Sequence, residues 1–202
     1  MFFAFDGLDG TGKTTQMNLF LEWLRAAGRE VVHCIDPGST PLGEQIRSIL
    51  LGHAVPICRT SEMLLFMAAR AQLVATVIRP ALEAGQVVVS DRYLLANVVY
   101  QGYAGGLDVE KIRRIGQTAT GGVLPDLVFV LDMPPDAAAG RMDRELDRME
   151  SQGAEFQERL RAGFLAEAAK DPNHIVIIDA TRDIDAVQVD IRAAAERVLA
   201  QP

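Results

Sequence analysis

The chain has 202 residues, is 49% hydrophobic and carries a formal net charge of -7. That length and apolar content fit one generous domain with a full core. The acidic balance argues against a nucleic-acid polymer as partner, which ordinarily needs a basic face, but leaves small anions open. The cysteines, Cys34 and Cys58, lie far apart with no framework or metal spacing, and read as free, mostly buried thiols of a reducing compartment. Met1-Phe2-Phe3-Ala4-Phe5 lacks a basic n-region and reaches Asp6 too soon for a signal sequence. No apolar run is read as approaching membrane length, so the expectation is a cytoplasmic protein without a membrane partner.

Phe2 to Asp6 reads as a buried strand. Directly behind it stands Gly7-Leu8-Asp9-Gly10-Thr11-Gly12-Lys13-Thr14, which is Gly, four residues, Gly-Lys-Thr: the P-loop pattern, with a strand before it and a helix after it. Gly7, Gly10 and Gly12 let the backbone turn tightly and bring N–H groups against phosphate oxygens. The helix starting near Lys13 adds its positive end, and Lys13 adds a mobile charge for the β- and γ-phosphates. Thr14 puts a hydroxyl where a phosphate-bound Mg²⁺ needs a ligand. A chance glycine-rich turn is the alternative, and the demands of the pattern weigh against it. The expectation is a site for a nucleoside triphosphate.

The helix from Lys13 to about Ala27 stops at Gly28. Val31 to Ile35 is a second strand, in which His33 reads as a residue at a polar rim, with no ligand set around it. Asp36-Pro37-Gly38-Ser39-Thr40 is a turn at the carboxyl edge of the sheet, where open α/β folds bind ligands. Helices follow from about Pro41 to Leu51 and from near Thr60 to Ala84, closing at Gly85. On the second, Phe66 and Arg70 are four residues apart and share a face. Spacing alone favours a core role for Phe66 and a solvated one for Arg70. Gln86 to Ser90 is a β-branched strand that delivers Asp91. Such an Asp is the usual metal-side partner of a P-loop, and the plainer alternative is a helix cap. Gly102 to Gly106 breaks the pattern before a helix from about Leu107 to Thr120.

Asp126 to Asp132 and His174 to Asp179 are the last strands, and a helix from about Ile184 to Leu199 ends the chain. Short, continuously apolar strands alternating with helices predict a three-layer α/β sandwich: a five-stranded parallel sheet with helices on both faces. Between the last two strands, Arg141 to Gly153 is dense in charge. Arg141, Arg144 and Arg148 fall at i, i+3 and i+7, so a helix there would line three guanidinium groups on one side. A solvated helix with pairs of the Glu145–Arg148 kind is the bland reading; beside a P-loop, a short lid carrying arginines to a moving phosphoryl group is preferred.

Taken together, Asp6 to Thr15, Asp36 to Thr40, Phe66-Met67-Ala68-Ala69-Arg70, Asp91-Arg92-Tyr93, Tyr100-Gln101-Gly102, Pro125-Asp126-Leu127 and Leu146-Asp147-Arg148-Met149-Glu150 resemble bacterial thymidylate kinase, a P-loop nucleoside monophosphate kinase family. They occur in the family's order over nearly the whole chain. The resemblance implies one kinase domain over 1–202, with a lid at about 141–153. It implies ATP with Mg²⁺ as donor, dTMP as acceptor, dTDP as product for dTTP synthesis, and a homodimer through apolar helix faces such as that of Leu64, Leu65 and Val74.

It also implies roles. Gly7 through Thr15 would hold ATP, with Leu8, Asp9 and Thr11 in the loop interior. Phe66 would stack on thymine, Arg70 would bond the base edge, and Asn97 would face the base. Asp9 would face the 3′-OH and the acceptor phosphate. Arg92 would hold that phosphate beside Pro37, with Asp91 and Thr14 on the metal. Tyr100 would lie against the sugar and disfavour a 2′-OH, and Ala180-Thr181-Arg182 would approach adenine. No basic residue stands inside the loop, so the chain resembles the type whose catalytic arginine comes from the lid. It departs from the family at Ile35, where an arginine is usual, and at Asp6, Ala96 and Val99. A same-fold kinase for another monophosphate such as dUMP is therefore the alternative, and a P-loop regulatory ATPase switch a more distant one.

Overall fold

The structure, a computed structural model, describes residues 1–52, 56–142 and 148–200. Strands β1 (Phe2–Gly7), β2 (Val31–Ile35), β3 (Val87–Asp91), β4 (Leu127–Asp132) and β5 (Ile175–Asp179) form one parallel sheet in the order β2-β3-β1-β4-β5. The central strand aligns Phe5 with Asp91 of β3 and with Phe129 of β4. All strands point the same way, so every strand's carboxyl end, with the turn that follows it, reaches one edge.

Alternation along β1 explains the layers. Phe3 and Phe5 face one side, where α1 (Lys13–Ala26) and the last helix, Ile184–Leu199, contribute Phe20, Leu24 and Ile191. Phe2 and Ala4 face the other side, toward Leu73, Val74, Val99, Leu160 and Phe164. Both faces are covered, which is why the strands are apolar throughout.

Helix α2 (Pro41–Leu51) begins where Thr40 accepts from the Gly43 N–H at 2.9 Å, with proline at the first turn. Helix α3 (Arg59–Leu73) continues through a π-helical turn, Val74–Ile78, into α4 (Arg79–Glu83). The widened turn lies just before Pro80, which has no N–H for the carbonyl four residues back. The run Arg59–Glu83 spans 25 residues and reaches a mean hydropathy of 1.4, so it is long and apolar enough to cross a membrane, contrary to the expectation that no run is. Here that apolarity builds core: Met63, Met67, Leu73, Val74 and Ile78 are buried. Val74 is therefore not part of an outward face, while Leu64 is 48% exposed and Leu65 packs partly against Ile46 and Leu50.

Leu94–Asn97 (α5) runs straight into a π-helical stretch, Val98–Ala104, that the sequence did not announce. Its β-branched residues and Gly102 argue against a helix, but burial overrides propensity: Val98 to Gly102 are all inside. Gly102 lies within it, close against Val109, and is not the expected break. Helix α6 (Val109–Thr120) starts later than expected, where Asp108 caps the N–H groups of Glu110 and Lys111. Short α7 (Pro135–Ala139) and long α8 (Ala154–Lys170) were likewise not anticipated; α8 buries Phe156, Leu160 and Phe164 at four-residue spacing. Helix α9 (Ile184–Leu199) ends the fold as expected. Both cysteines are free and Cys34 is buried, but Cys58, just before α3, is exposed, a correction to the expectation that both thiols are mostly buried.

The apolar centre is a ring cluster in which Phe129 lies 4.9 Å from Phe5, 5.5 Å from Phe20 and 5.9 Å from Phe3. Phe129→Ala is expected to lower unfolding free energy by about 3–5 kcal/mol, read from urea denaturation with an unchanged m-value.

Candidate active site

At the carboxyl end of β1 the chain must turn while pressed against its neighbours. A Cβ on Gly7 would run into the Leu131 carbonyl, and one on Gly10 into the Ala138 carbonyl. Helix α1 then begins behind Gly12, which has no side chain to cap its first N–H groups. Those donors are the ones a phosphate would satisfy. Gly10, Thr11, Gly12, Lys13, Thr14 and Thr15 line a cleft of about 650 Å³, and Ala180, Arg182 and Ile184 form part of its wall. Gly7 and Leu8, expected among the ATP contacts, do not line it. Their carbonyls instead accept from Lys13 Nζ at 3.2 and 2.7 Å. Burial lowers the Lys13 pKa, but Asp9, 3.2 Å away, works to keep the ammonium charged.

Arg92 stands beside this loop in the left-handed region, at φ 64. A non-glycine residue there is strained, and the surroundings hold it. Its Nη2 donates to Asp9 at 2.6 Å, Nη1 donates to the Gly7 carbonyl at 3.2 Å, and its guanidinium lies 5.0 Å over the Tyr100 ring. Tyr100 donates to the other Asp9 oxygen at 3.3 Å. Burial opposes ionisation of Asp9, but Arg92 and Lys13 outweigh it and hold the carboxyl well below the usual range. Burial likewise pushes the Tyr100 phenol far up, so it stays a donor. Asp6, fully buried, has no hydrogen-bond partner among the described residues and lies 3.6 Å from Arg92; burial pushes its carboxyl up to about 7 against the pull of Arg92 and Lys13.

A second, ring-sized cavity of about 140 Å³ adjoins the cleft, lined by Phe66, Arg70, Asn97, Tyr100 and Pro37, among others. Phe66 and Arg70, which share a helix face, both line it. Arg70 is 1% exposed, not solvated: its Nε donates to Asp36 at 2.5 Å, Nη1 to Asn97 at 2.7 Å and Nη2 to the Tyr93 carbonyl at 3.2 Å. Burial pushes Asp36 upward while Arg70 draws it down. Arg47 was not singled out in the sequence, since one arginine in a charged helix carries no motif. It donates to the Pro37 carbonyl at 2.8 Å and lines both cavities. The position left apolar at Ile35 thus has a guanidinium supplied nearby from α2.

Asp91 and Thr14 both line the cleft, and among the described residues neither side chain makes a hydrogen bond. Their oxygens suit a hard cation such as Mg²⁺. No group of three metal-ligating side chains occurs among the described residues, so further ligands would come from a phosphate and water. Of the expected lid arginines, Arg141 is exposed, lines the cleft and donates to the Ala180 carbonyl at 3.3 Å. Arg144 lies outside the described residues. Arg148 is turned elsewhere: it is 2.7 Å from Glu62 and donates to the Leu50 carbonyl at 2.7 Å. Arg141 and Arg148 therefore do not share one side.

A P-loop on the central strand of a parallel sheet, with a ring cavity joined to its cleft, defines a P-loop kinase of small nucleotides. The comparisons agree. The sequence profile described as Thymidylate kinase matches residues 5–191. A thymidylate kinase of Bifidobacterium longum (strain DJO10A) is 46% identical over 197 residues, covering 96% of each chain. One of Symbiobacterium thermophilum is 44% identical over 201 residues, covering 98% of this chain and 94% of the relative. The crystal structure of thymidylate kinase from Ehrlichia chaffeensis superposes with a TM-score of 0.81 at 31% identity, covering 97% of this chain and 98% of that one. The chain belongs to the thymidylate kinase family.

Asp6 carries a pH signature. Its pKa rises on folding from 3.8 to about 7, so the folded chain holds a proton that the unfolded chain has lost, and stability falls as pH rises through that interval. Asp9, shifted the other way, acts below it. Asp6→Asn keeps the neutral shape, so its gain in Tm over the native chain should grow between about pH 5 and about pH 8. An equal gain at both would show that the carboxyl stays ionised throughout.

Proposed function

We propose that the chain transfers the γ-phosphoryl group of ATP to dTMP, giving ADP and dTDP on the way to dTTP. One observation carries this reading: Asp9, Asp36, Arg47 and Arg92 line both the phosphate cleft and the ring cavity, so a donor and an acceptor would meet at Arg92. Phe66 stacks on the base, Arg70 and Asn97 meet its edge, and Tyr100, tied to Asp9, lies against the sugar where a 2′-OH would stand. Arg92 holds the acceptor phosphate, which is already anionic at neutral pH, so no general base is needed. One of its oxygens attacks the γ-phosphorus while the bond to the β-phosphate oxygen breaks.

Catalysis is then alignment and charge neutralisation. Lys13 leaves the loop carbonyls for the phosphates, the free N–H groups of α1 follow, and Arg141 and Arg144 bring lid charge to the moving group. Thr14 and Asp91 would hold Mg²⁺, which would supply further neutralisation of the phosphate oxygens. The whole chain, 1–202, acts as one kinase domain of the cytoplasm. Two copies pair through outward apolar positions such as Leu64. A second reading has an observation of its own: Ala96, a departure from the family pattern, lines the ring cavity, so dUMP or another monophosphate is the competing acceptor.

ADP release with ATP and Mg²⁺ is expected for dTMP well above dUMP, dGMP, dCMP and the ribo-analogue, with little release without acceptor. Better turnover of another monophosphate moves the substrate, and acceptor-independent release breaks the kinase reading. Lys13→Ala is expected to cost about 3–4 kcal/mol of transition-state stabilisation in kcat/KM in a chain that still folds, since Asp9 keeps Arg92 as its partner. Activity within tenfold of the native chain sinks that assignment.

A further inference from the structure

One side chain ties the turn behind the phosphate loop to the opposite wall of the cleft. Gln16 stands in the first turn of α1, where its N–H donates to the Gly12 carbonyl at 3.1 Å. It is 4% exposed and lines the cleft together with Ile184 and Val187 of α9. Its Nε2 donates to the Ile184 carbonyl at 2.9 Å, and its Oε1 accepts from Gln188 Nε2 at 2.8 Å.

The direction of these bonds is set from outside the cleft. Arg192 Nε donates to Gln188 Oε1 at 3.1 Å, and an arginine can only donate. The Gln188 amide must therefore turn its nitrogen to Gln16. Gln16 in turn must present oxygen to Gln188 and nitrogen to Ile184. Gln188 Nε2 also donates to the Gln16 backbone carbonyl at 2.9 Å, so it meets Gln16 at two points. The Arg192 guanidinium lies 5.8 Å over the ring of Trp23, which returns the line to α1.

The loop that enters α9 is shaped by its own residues. Asp179 accepts from the Thr181 N–H and hydroxyl, and Asp183 caps the Ala186 N–H at 2.8 Å. These bonds stay within 179–186, so they do not fix where the loop stands relative to the phosphates. Apolar packing holds α1 and α9 together, but it is non-directional. The Gln16 bond to Ile184 supplies the register at the cleft. Ile184 itself is 54% exposed, an apolar side chain on the wall that a flat ring would cover.

We propose that Gln16 is a positioning residue for the donor, fixing the wall on which the base of a nucleoside triphosphate lies at the reach its phosphates require. This rests on the reading of the cleft as the ATP site. Without Gln16 the phosphate loop keeps its own N–H groups and Lys13, while the wall loses its register. Base binding then weakens and phosphate binding does not.

Calorimetry with two probes separates the two. A non-hydrolysable ATP analogue uses the loop and the wall, whereas inorganic tripolyphosphate uses the loop alone, so the native chain is expected to bind the analogue more tightly. Gln16→Met is close in size but lacks the amide, and Gln188 keeps the backbone carbonyl of residue 16 as acceptor. In that variant the Kd for the analogue should rise about 10-fold, the weight of one buried hydrogen bond, while the Kd for tripolyphosphate stays within about twofold. Gln188→Met, changed outside the cleft, frees the Gln16 amide to turn and should weaken the analogue selectively too. It reports if Gln16→Met does not fold. Equal weakening of both probes shows that Gln16 only supports the loop, and native-like binding of the analogue shows that the wall holds itself; either result overturns the inference. So does a native chain that binds the analogue no tighter than tripolyphosphate. Failure of the native chain to bind the analogue at all overturns instead the donor reading beneath it.

Discussion

Buried charge has to be matched, and the interior of this protein is arranged around that demand. Asp6 and Asp9 stand against Arg92 and Lys13, Asp36 against Arg70, and Glu62 against Arg148 and Arg59. Removing one member of a pair buried on both sides, such as Asp36 and Arg70, typically costs about 3–5 kcal/mol, because the other is left uncompensated. The matching also readies the site. Lys13 and Arg92 are held by loop carbonyls and Asp9, partners that can yield when phosphates arrive with stronger claims on the same donors. The cations are pre-placed without being left unpaired.

Strand-end carboxylates show why position alone does not make a site. In a parallel sheet every such residue arrives at one edge, and β3, β4 and β5 each end in an aspartate. Arg161 holds Asp132 through two bonds of 2.8 Å, and Asp179 is taken up by the backbone and hydroxyl of Thr181. Asp91 has no such partner among the described residues and faces the cleft. Its neighbours, not its place at a strand end, leave it open to a cation.

The strands and the P-loop were legible because they are local. Continuous β-branched or aromatic runs have few other uses, and glycines at fixed offsets from a Gly-Lys-Thr announce a turn whose backbone is itself the binding surface. Strand bounds, α2 and α9 followed from caps and periodicity. The stretch Val98–Ala104 was not legible, since its propensities oppose a helix and only burial on all sides makes one. Val74 was misplaced for a related reason: an apolar helix of 25 residues does not say which of its faces is inside. Arg70 shows the same limit from the polar side. Spacing favours a solvated arginine, and what buries it are Asp36, 34 residues away, and Asn97, 27 residues away.

By itself, then, the sequence determined the sheet, the phosphate loop and the family, because those depend on residues adjacent in the chain or on motifs kept in order. Tertiary structure decided which side chains meet. It brought Arg47 to both cavities, parted Arg148 from Arg141, and strung Asn97 and Gln101 between Arg70 and Glu62. The physical reason is desolvation. Whether a charged side chain is spectator or machinery depends on whether water can still reach it, and that is settled by residues far away in sequence that close around it.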